Sequence, residues 1–551
     1  MSLIFPTPVC EKLVYTARTE SKAVCISLDG FEAAEAEKRF EMRGIKTSAT
    51  PDLAITLEYR ENLSDEEYKL NFENGAVPSH CTLYASSKKG VRYGANAVAG
   101  LILRYENISG TVSDSPSFSR RGIIEGFYGK PWRAEHRLDM LKTVSFWNMN
   151  TYFYAPKDDE YHRDRWDEPY DEKSFATLRE VVEACREYGL EFVYCIAPGI
   201  TMEYSSAEHL KKLDDKLGSV RDLGVRSFSL LLDDIPSSLQ YDSDKKAFGD
   251  LTKAHIAVTN EFARMCREAD KDARLFVCPY MYCGTGEEAY IRRFGRGIDP
   301  DVRILWTGRD ICSREITTAQ AEKFHTETGH YPFFWDNYPV NDANMYNEMH
   351  IGPVRDRDAR LYRFSEGLIA NGMEYSEASK AGFMTVADYL WNSEAYDPET
   401  SHINAMKRLV GENGYGKFRF FSDNLQTCCL RNSNSELMSE YLQQVRFSMK
   451  TGDFDKAVGV LKEYCGKMND CCDFLENGMK NRFLREELKP WTDKFVFCCE
   501  ILNTSLVFLS SGGKLKRREL SDMTKKYKSD PVVLADFCFW EFTEFLLDYR
   551  F

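Results

Sequence analysis

At 551 residues, with 43% hydrophobic and 29% charged side chains, the chain is long enough for three or four ordinary globular domains, or fewer if one is a barrel. A formal net charge of −14 argues against a nucleic-acid partner, and no apolar run of about 18 residues suggests a membrane span. Seventeen cysteines, an odd number that includes the neighbours Cys428/Cys429, Cys471/Cys472 and Cys498/Cys499, are unlike a disulfide framework and suit reduced thiols in a cytoplasmic protein.

The opening MSLIFPTPVCEKLVY lacks a basic stretch followed by a long apolar core, so no export signal is expected. There is no C-x-x-C pair and no H-E-x-x-H, and the nine histidines do not cluster, so neither a metal nor a cofactor is expected. Residues 1–118 alternate strand-like runs (Lys12–Thr16, Ala23–Leu28, Ala54–Tyr59, Tyr68–Phe72, Cys81–Ala85) with helical stretches at Phe31–Arg43 and Val91–Leu103. This predicts a small α+β domain, closed by the turn-rich Asp114-Ser115-Pro116-Ser117.

From residue 119 to about 398 the pattern becomes strand, loop, helix. Strands are predicted at Gly122–Glu125, Thr151–Ala155, Glu191–Ile196, Phe228–Leu232, Leu275–Cys278, Val302–Trp306, Pro332–Trp335 and Gly367–Ala370. Helices are predicted at Ala134–Trp147, Ser174–Tyr188, Ala207–Leu223, Leu251–Ala269, Glu287–Phe294, Thr318–Glu327, Asp356–Phe364 and Lys380–Trp391. Eight such units match an α/β architecture of the (β/α)8 TIM-barrel type. Residues 399–551 read as a helical domain, with helices at Glu436–Met449, Asp455–Leu475, Phe483–Leu509 and Val532–Tyr549 and breaks at Asn434-Ser435, Gly478 and Ser511-Gly512-Gly513. Lys514–Arg518, KLKRR, reads as a solvated surface loop, and Phe537, Trp540, Phe542 and Phe545 as a packing stripe.

In a barrel, chemistry belongs at the carboxyl ends of the strands. Ser227–Pro236, SFSLLLDDIP, is an apolar run that ends in two carboxylates and a proline unable to continue the ladder. The other ends are polar too: EGFYGKPW from Glu125, with Gly126 and Gly129; YAPKDDEYH with Lys157; CPYMYCGTG with Cys278 and Tyr282; FWDNYPVND with Trp335, Asn337 and Asp342; and Asn371 after the eighth strand. Each has an ordinary alternative: Lys157 as a surface lysine, Trp335 as a core aromatic, Asn371 as a turn former, Cys278 as a buried filler. Together they offer what a sugar ring needs, a flat apolar face and polar partners for its hydroxyls. The competing readings are a two-metal phosphoesterase built from Asp158, Asp159, Asp233 and Asp234, and a glycan-binding module on a catalytically dead barrel.

EGFYGKPW, YFYAPKDDEYHR, LLLDDIP, WDN followed by ND, and ANGMEYSEASK together resemble glycoside hydrolase family 84, the O-GlcNAcase and β-N-acetylglucosaminidase family. The resemblance runs in order through the barrel and implies a retaining enzyme in which the 2-acetamido oxygen of the sugar is the nucleophile. It implies that Asp233 orients the acetamide and that Asp234 is the general acid and base. Tyr282 would bind the acetamide oxygen, with Trp335 walling its pocket and Cys278 near its methyl. Asp342, Lys157, Asn371 and the backbone of Gly126 would bind hydroxyls, and Asn337 would support the reacting end. The implied partner is an N-acetylglucosamine-containing glycan or glycoprotein, with hyaluronidase or another hexosaminidase specificity as the alternative and a homodimer through the C-terminal helices left open.

Overall fold

The computed structural model of the chain describes residues 4–18, 24–73, 79–431 and 435–551. Ala23, the first residue of one expected strand, and Asn434, in one expected break, lie outside the described residues. The N-terminal unit is a seven-stranded mixed sheet of β1 (Cys10–Ala17), β2 (Cys25–Gly30), β3 (Lys46–Thr47), β4 (Leu53–Tyr59), β5 (Tyr68–Phe72), β6 (Ser79–Ala85) and β7 (Tyr105–Asp114), in the order β1-β7-β5-β6-β4-β2-β3. β7 was not expected. Its sequence YENISGTVSD has little apolar alternation and carries Gly110 at φ 116°, where a Cβ would meet the Lys12 carbonyl of β1. Burial alternates along β4 and β5, as strands covered on one face require.

The helix Lys88–Ile102 ties this unit to the barrel. Asn96 Nδ2 donates to the Ser145 carbonyl (3.1 Å) and to Asn148 Oδ1 (2.9 Å). Arg121 at the start of the first barrel strand reaches back to Glu66 at 2.8 Å.

Eight parallel strands close into that barrel: β8 (Arg121–Glu125), β9 (Thr151–Tyr154), β10 (Glu191–Ile196), β11 (Ser227–Leu231), β12 (Arg274–Cys278), β13 (Arg303–Trp306), β14 (Phe333–Asp336) and β15 (Gly367–Asn371), which pairs with β8. Every residue of β8, β9, β11, β14 and β15 is buried, as strands covered on both faces require. The interior is filled by inward-facing side chains, with Phe153, Phe276 and Phe333 packed ring to ring at centroid separations of 4.9–5.7 Å.

One expected barrel helix is absent. Asp356–Phe364 is irregular, with Asp356 at φ 56°, a parallel bridge from Ile316 to Arg357 and only a 3-10 turn at Leu361–Phe364. Its helical propensity is overridden by Arg357, which is needed in a buried ion pair with Asp336.

The C-terminal region is helical, with differences from the expected elements. Helices at Pro398–Val410, Glu412–Ser422 and Arg517–Ser529 had not been foreseen. The last of these takes Arg517 and Arg518 out of the expected KLKRR loop and into its first turn. The expected helix Phe483–Leu509 divides into Arg482–Glu487 and Lys489–Ser510, where Pro490 sits in the first turn because it has no N–H to bond backward. In the final helix, Asp536–Asp548, the buried face is Phe539, Phe542 and Leu546, whereas Phe537 is 58% exposed.

Candidate active site

The barrel interior shows how the site is assembled. Side chains alternate along a strand, so a residue two positions beyond an inward-facing core residue faces the barrel mouth. Ile124 leads to Gly126, Ala155 to Lys157, Leu231 to Asp233, Phe276 to Cys278, Leu305 to Thr307, Trp335 to Asn337 and Ile369 to Asn371. A cavity of about 230 Å³ opens there and is lined by all ten residues singled out from the sequence: Gly126, Lys157, Asp233, Asp234, Cys278, Tyr282, Trp335, Asn337, Asp342 and Asn371.

Asp234 is out of this register, because a neighbour of an inward-facing residue should face outward. It reaches the cavity because its backbone is left-handed, φ 51°, a conformation Asp tolerates better than most residues. Its two oxygens accept from different tyrosines: Oδ2 from Tyr128 Oη at 2.8 Å and Oδ1 from Tyr282 Oη at 3.2 Å. Burial and these carboxylates raise the pKa of both phenols, so both remain donors.

Asp233 is in a different environment. It is buried, and its Oδ1 has no hydrogen-bond partner among the described residues. Desolvation raises its pKa most, Lys157 opposes that and Asp234 adds to it. The Cys278 thiol beside it is pushed well up by burial and then by the two aspartates, and stays protonated.

The remaining residues form a braced frame. Asn371 Oδ1 accepts from the Gly126 N–H at 3.2 Å, and its Nδ2 donates to Asn337 Oδ1 at 3.0 Å. Asn337 Oδ1 also accepts from Trp335 Nε1 (2.9 Å), while its Nδ2 donates to the Ile311 carbonyl (2.8 Å). Glycine is required at 126, since a Cβ there would stand 2.8 Å from Trp335 Cζ2. Asp342 Oδ2 accepts from the Tyr128 N–H at 2.8 Å, joining the loops after β14 and β8, and its pKa is raised by desolvation against that hydrogen bond and Lys157. Lys157 Nζ lies 4.7 Å from the Tyr128 ring centroid.

Tyr128 was within a quoted motif but had not been assigned a part. Its position next to a glycine in a strand-end loop was the available signal, and its bonds to Asp234 and Asp342 lie 106 and 214 residues away. Glu125 was not separated from its motif either. It accepts both guanidinium bonds of Arg137 at 2.7 Å, the Tyr152 hydroxyl at 2.8 Å and the Trp132 N–H at 3.3 Å, anchoring the loop that carries Gly126 and Tyr128. The carboxylates of the phosphoesterase reading do not converge: Asp159 accepts from Tyr154, Tyr170 and the Tyr161 N–H, and neither it nor Asp158 lines the cavity. Among the described residues no group of three or more His, Cys, Asp or Glu side chains is placed to hold a metal ion.

A (β/α)8 barrel whose strand ends bring a carboxylate pair, an aromatic wall and amide and acid groups into one sugar-sized cavity is of the glycoside hydrolase class. A family model described as beta-N-acetylglucosaminidase matches residues 121–423, and the chain belongs to that family. A protein O-GlcNAcase of Rattus norvegicus and one of Mus musculus are each 34% identical to it over 274 residues, covering 49% of this chain and 29% of theirs. The match thus spans under a third of the length of these curated relatives. Among solved structures, a mutant of Thermobaculum terrenum O-GlcNAc hydrolase is 29% identical, with a TM-score of 0.75 over 78% of this chain and 95% of that one. The structure of CpGH84B, at 24% identity, has a TM-score of 0.83 over 98% of this chain and 99% of its own, which extends the shared fold to the flanking regions.

Proposed function

We propose that this chain is a retaining β-N-acetylglucosaminidase that releases terminal β-linked N-acetylglucosamine from glycoprotein-type substrates through an oxazoline intermediate. The observation that carries the reading is the pair of adjacent aspartates brought into one cavity by the left-handed backbone of Asp234, with Asp233 offering a buried, unpartnered oxygen. Such an oxygen suits the acetamide N–H, which grows more acidic as the ring closes. A desolvated acceptor strengthens that hydrogen bond.

Asp234 protonates the departing oxygen and later takes a proton from water. Tyr282, its phenol pKa raised by burial and by Asp234, transfers its hydrogen bond from Asp234 to the acetamide oxygen and aligns it for attack. Asp342 and Lys157 bind ring hydroxyls on the opposite side. Since Asn371 already holds the Gly126 N–H, Gly126 offers its carbonyl, and Asn337, whose Nδ2 keeps one hydrogen beyond its bond to the Ile311 carbonyl, supports the reacting end. All seventeen cysteines are free thiols, which supports a reducing, cytoplasmic setting. Exposed Phe447 and Phe537, on the packed helices Glu436–Lys450 and Asp536–Asp548, support a C-terminal homodimer that sedimentation would reveal.

The test is a panel of aryl β-N-acetylglucosaminide, aryl β-N-acetylgalactosaminide, aryl β-glucoside, hyaluronan oligosaccharide and an O-GlcNAc peptide, with and without chelator. The first and last should be cleaved, indifferent to chelator, and the glucoside should not. Comparable turnover of glucoside and N-acetylglucosaminide would sink substrate assistance.

A further inference from the structure

Away from the active site, a second and larger cavity of about 540 Å³ lies where the N-terminal unit, the barrel helix Ala134–Phe146 and the helices Ser376–Trp391 and Pro398–Val410 meet. Its charge runs against that of the molecule. In a chain of net charge −14, five cationic side chains line it (Arg43, Arg104, Lys142, Lys380, Arg408) against two acidic ones. Both acids, Asp139 and Glu377, are already committed to Lys380, at 2.6 and 2.5 Å.

The three arginines come from the turn after the helix Ala33–Glu41, the turn after Lys88–Ile102 and the helix Pro398–Val410, and among the described residues none forms an ion pair. The Nε atoms of Arg43 and Arg408 are buried without a hydrogen-bond partner. Their guanidinium carbons lie over aromatic rings, Arg43 Cζ 4.1 Å from the centroid of Phe146 and Arg408 Cζ 4.7 Å from that of Phe5. Of the neighbouring acids, Asp388 attracts Arg408 only through space, without an ion pair, and accepts the Thr7 N–H at 2.7 Å, while Glu412 pairs with Lys407 at 3.0 Å. Burial, and then repulsion from Arg104, lowers the pKa of Arg43 to about 10; burial, then Arg104 and Arg43, lowers that of Arg408 to about 9.

Like charges gathered in a part-desolvated site, none of the three arginines in an ion pair, are costly, and a ligand bearing several negative charges relieves that cost. Guanidinium groups are suited to phosphate oxygens, which they bind through paired N–H donors. Leu103, Trp147 and Leu409 give the cavity apolar walls, and its volume falls within the range of small-molecule sites.

We propose that this interdomain cavity binds an organic diphosphate of the nucleotide type, its phosphates held by Arg43, Arg104 and Arg408 and its flat, apolar part by the remaining walls. The proposal is independent of the reading of the active site.

Calorimetric titration of the full chain with ADP, sodium pyrophosphate and adenosine tests it. ADP should bind at one site at least ten-fold more tightly than pyrophosphate, and adenosine should give no saturable heat. Arg104→Glu and Arg408→Gln should each weaken ADP at least ten-fold while hydrolysis of the aryl N-acetylglucosaminide stays unchanged, which also shows that the variants fold. Absence of saturable ADP binding up to about 10 mM, where affinity is negligible, overturns the proposal, as does ADP binding that both variants retain. ADP binding no tighter than pyrophosphate overturns the nucleotide assignment.

Discussion

At the ends of β8 and β14, Glu125 and Asp336 face outward and each meets one arginine in a two-bonded ion pair: Arg137 at 2.7 and 2.7 Å, Arg357 at 2.8 and 2.7 Å. Just beyond the end of β11, Asp233 faces the barrel axis, also buried, with no cation bonded to it and, among the described residues, one oxygen unpartnered. All three are acids at strand ends of one barrel. The alternation of side chains sorts them: outward positions meet the helix and loop around the barrel that supply Arg137 and Arg357, and inward positions meet the open mouth. The outward acids therefore hold loops in place, and the inward ones are available for chemistry.

The largest effects should fall on the inward acids. General acid–base groups contribute about 10²–10⁴ in rate. Asp234→Asn should lose about that much on substrates with poor leaving groups and far less on highly activated aryl glycosides, because only the former need a proton donor. Asp233→Asn should impair both alike, since ring closure itself suffers. Identical leaving-group dependence in the two variants would falsify the assigned roles. Asp342→Ala removes charge-assisted bonds to hydroxyls, each about 1.5–3 kcal/mol, and should lower kcat/KM by about two to four orders of magnitude. Its melting temperature should change little, because the carboxylate makes one protein hydrogen bond, to the Tyr128 N–H.

On the outward side the balance should reverse. Arg137→Ala leaves Glu125 buried and unpaired, which costs about 3–5 kcal/mol, and should appear as a lower unfolding temperature in calorimetry, with activity falling because the Gly126–Trp132 loop loosens. Unchanged stability would mean that Glu125 is not held by that pair.

The smallest effect is a stability gain at the active site. Because burial raises the pKa of Asp233 when folded, the native state keeps its proton to higher pH than the unfolded chain does. Stability from this group is thus present below the ordinary aspartate range and is lost as pH rises through the folded value. Asp233→Asn should therefore be more stable than the parent at pH 7.5, by about 0.5–2 kcal/mol, the common range for a single stabilising substitution, with the advantage vanishing near pH 3.5. A fixed difference across pH would refute the desolvation argument.

The strands of the barrel could be read in the sequence because runs such as SFSLLL announce burial on both faces, and each run stops where its polar loop begins. With the strands known, their polar carboxyl ends mark the barrel mouth, and the motifs there, through their family resemblance, named the cavity lining in advance; the step of two that carries Leu231 to Asp233 or Ile369 to Asn371 explains why several of those side chains face inward. Propensity misled where a distant partner overrode it. The Asp356–Phe364 stretch looks helical until Arg357 must reach Asp336, and β7 reads as loop until β1 and β5 supply its ladder.

Sequence alone thus determined the barrel strands, because burial on both faces shows within a few residues, and the strand-end motifs with their family resemblance named the side chains at the barrel mouth. Only the tertiary structure decided what those side chains touch. Asp234 faces the cavity through a left-handed backbone that no residue pattern announces, Tyr128 meets it from 106 residues away, and Asn371 holds the amide of Gly126 across 245. Closing the barrel brings these partners together, and with it fixes which carboxylates are neutralised by arginine and which stay available to a substrate.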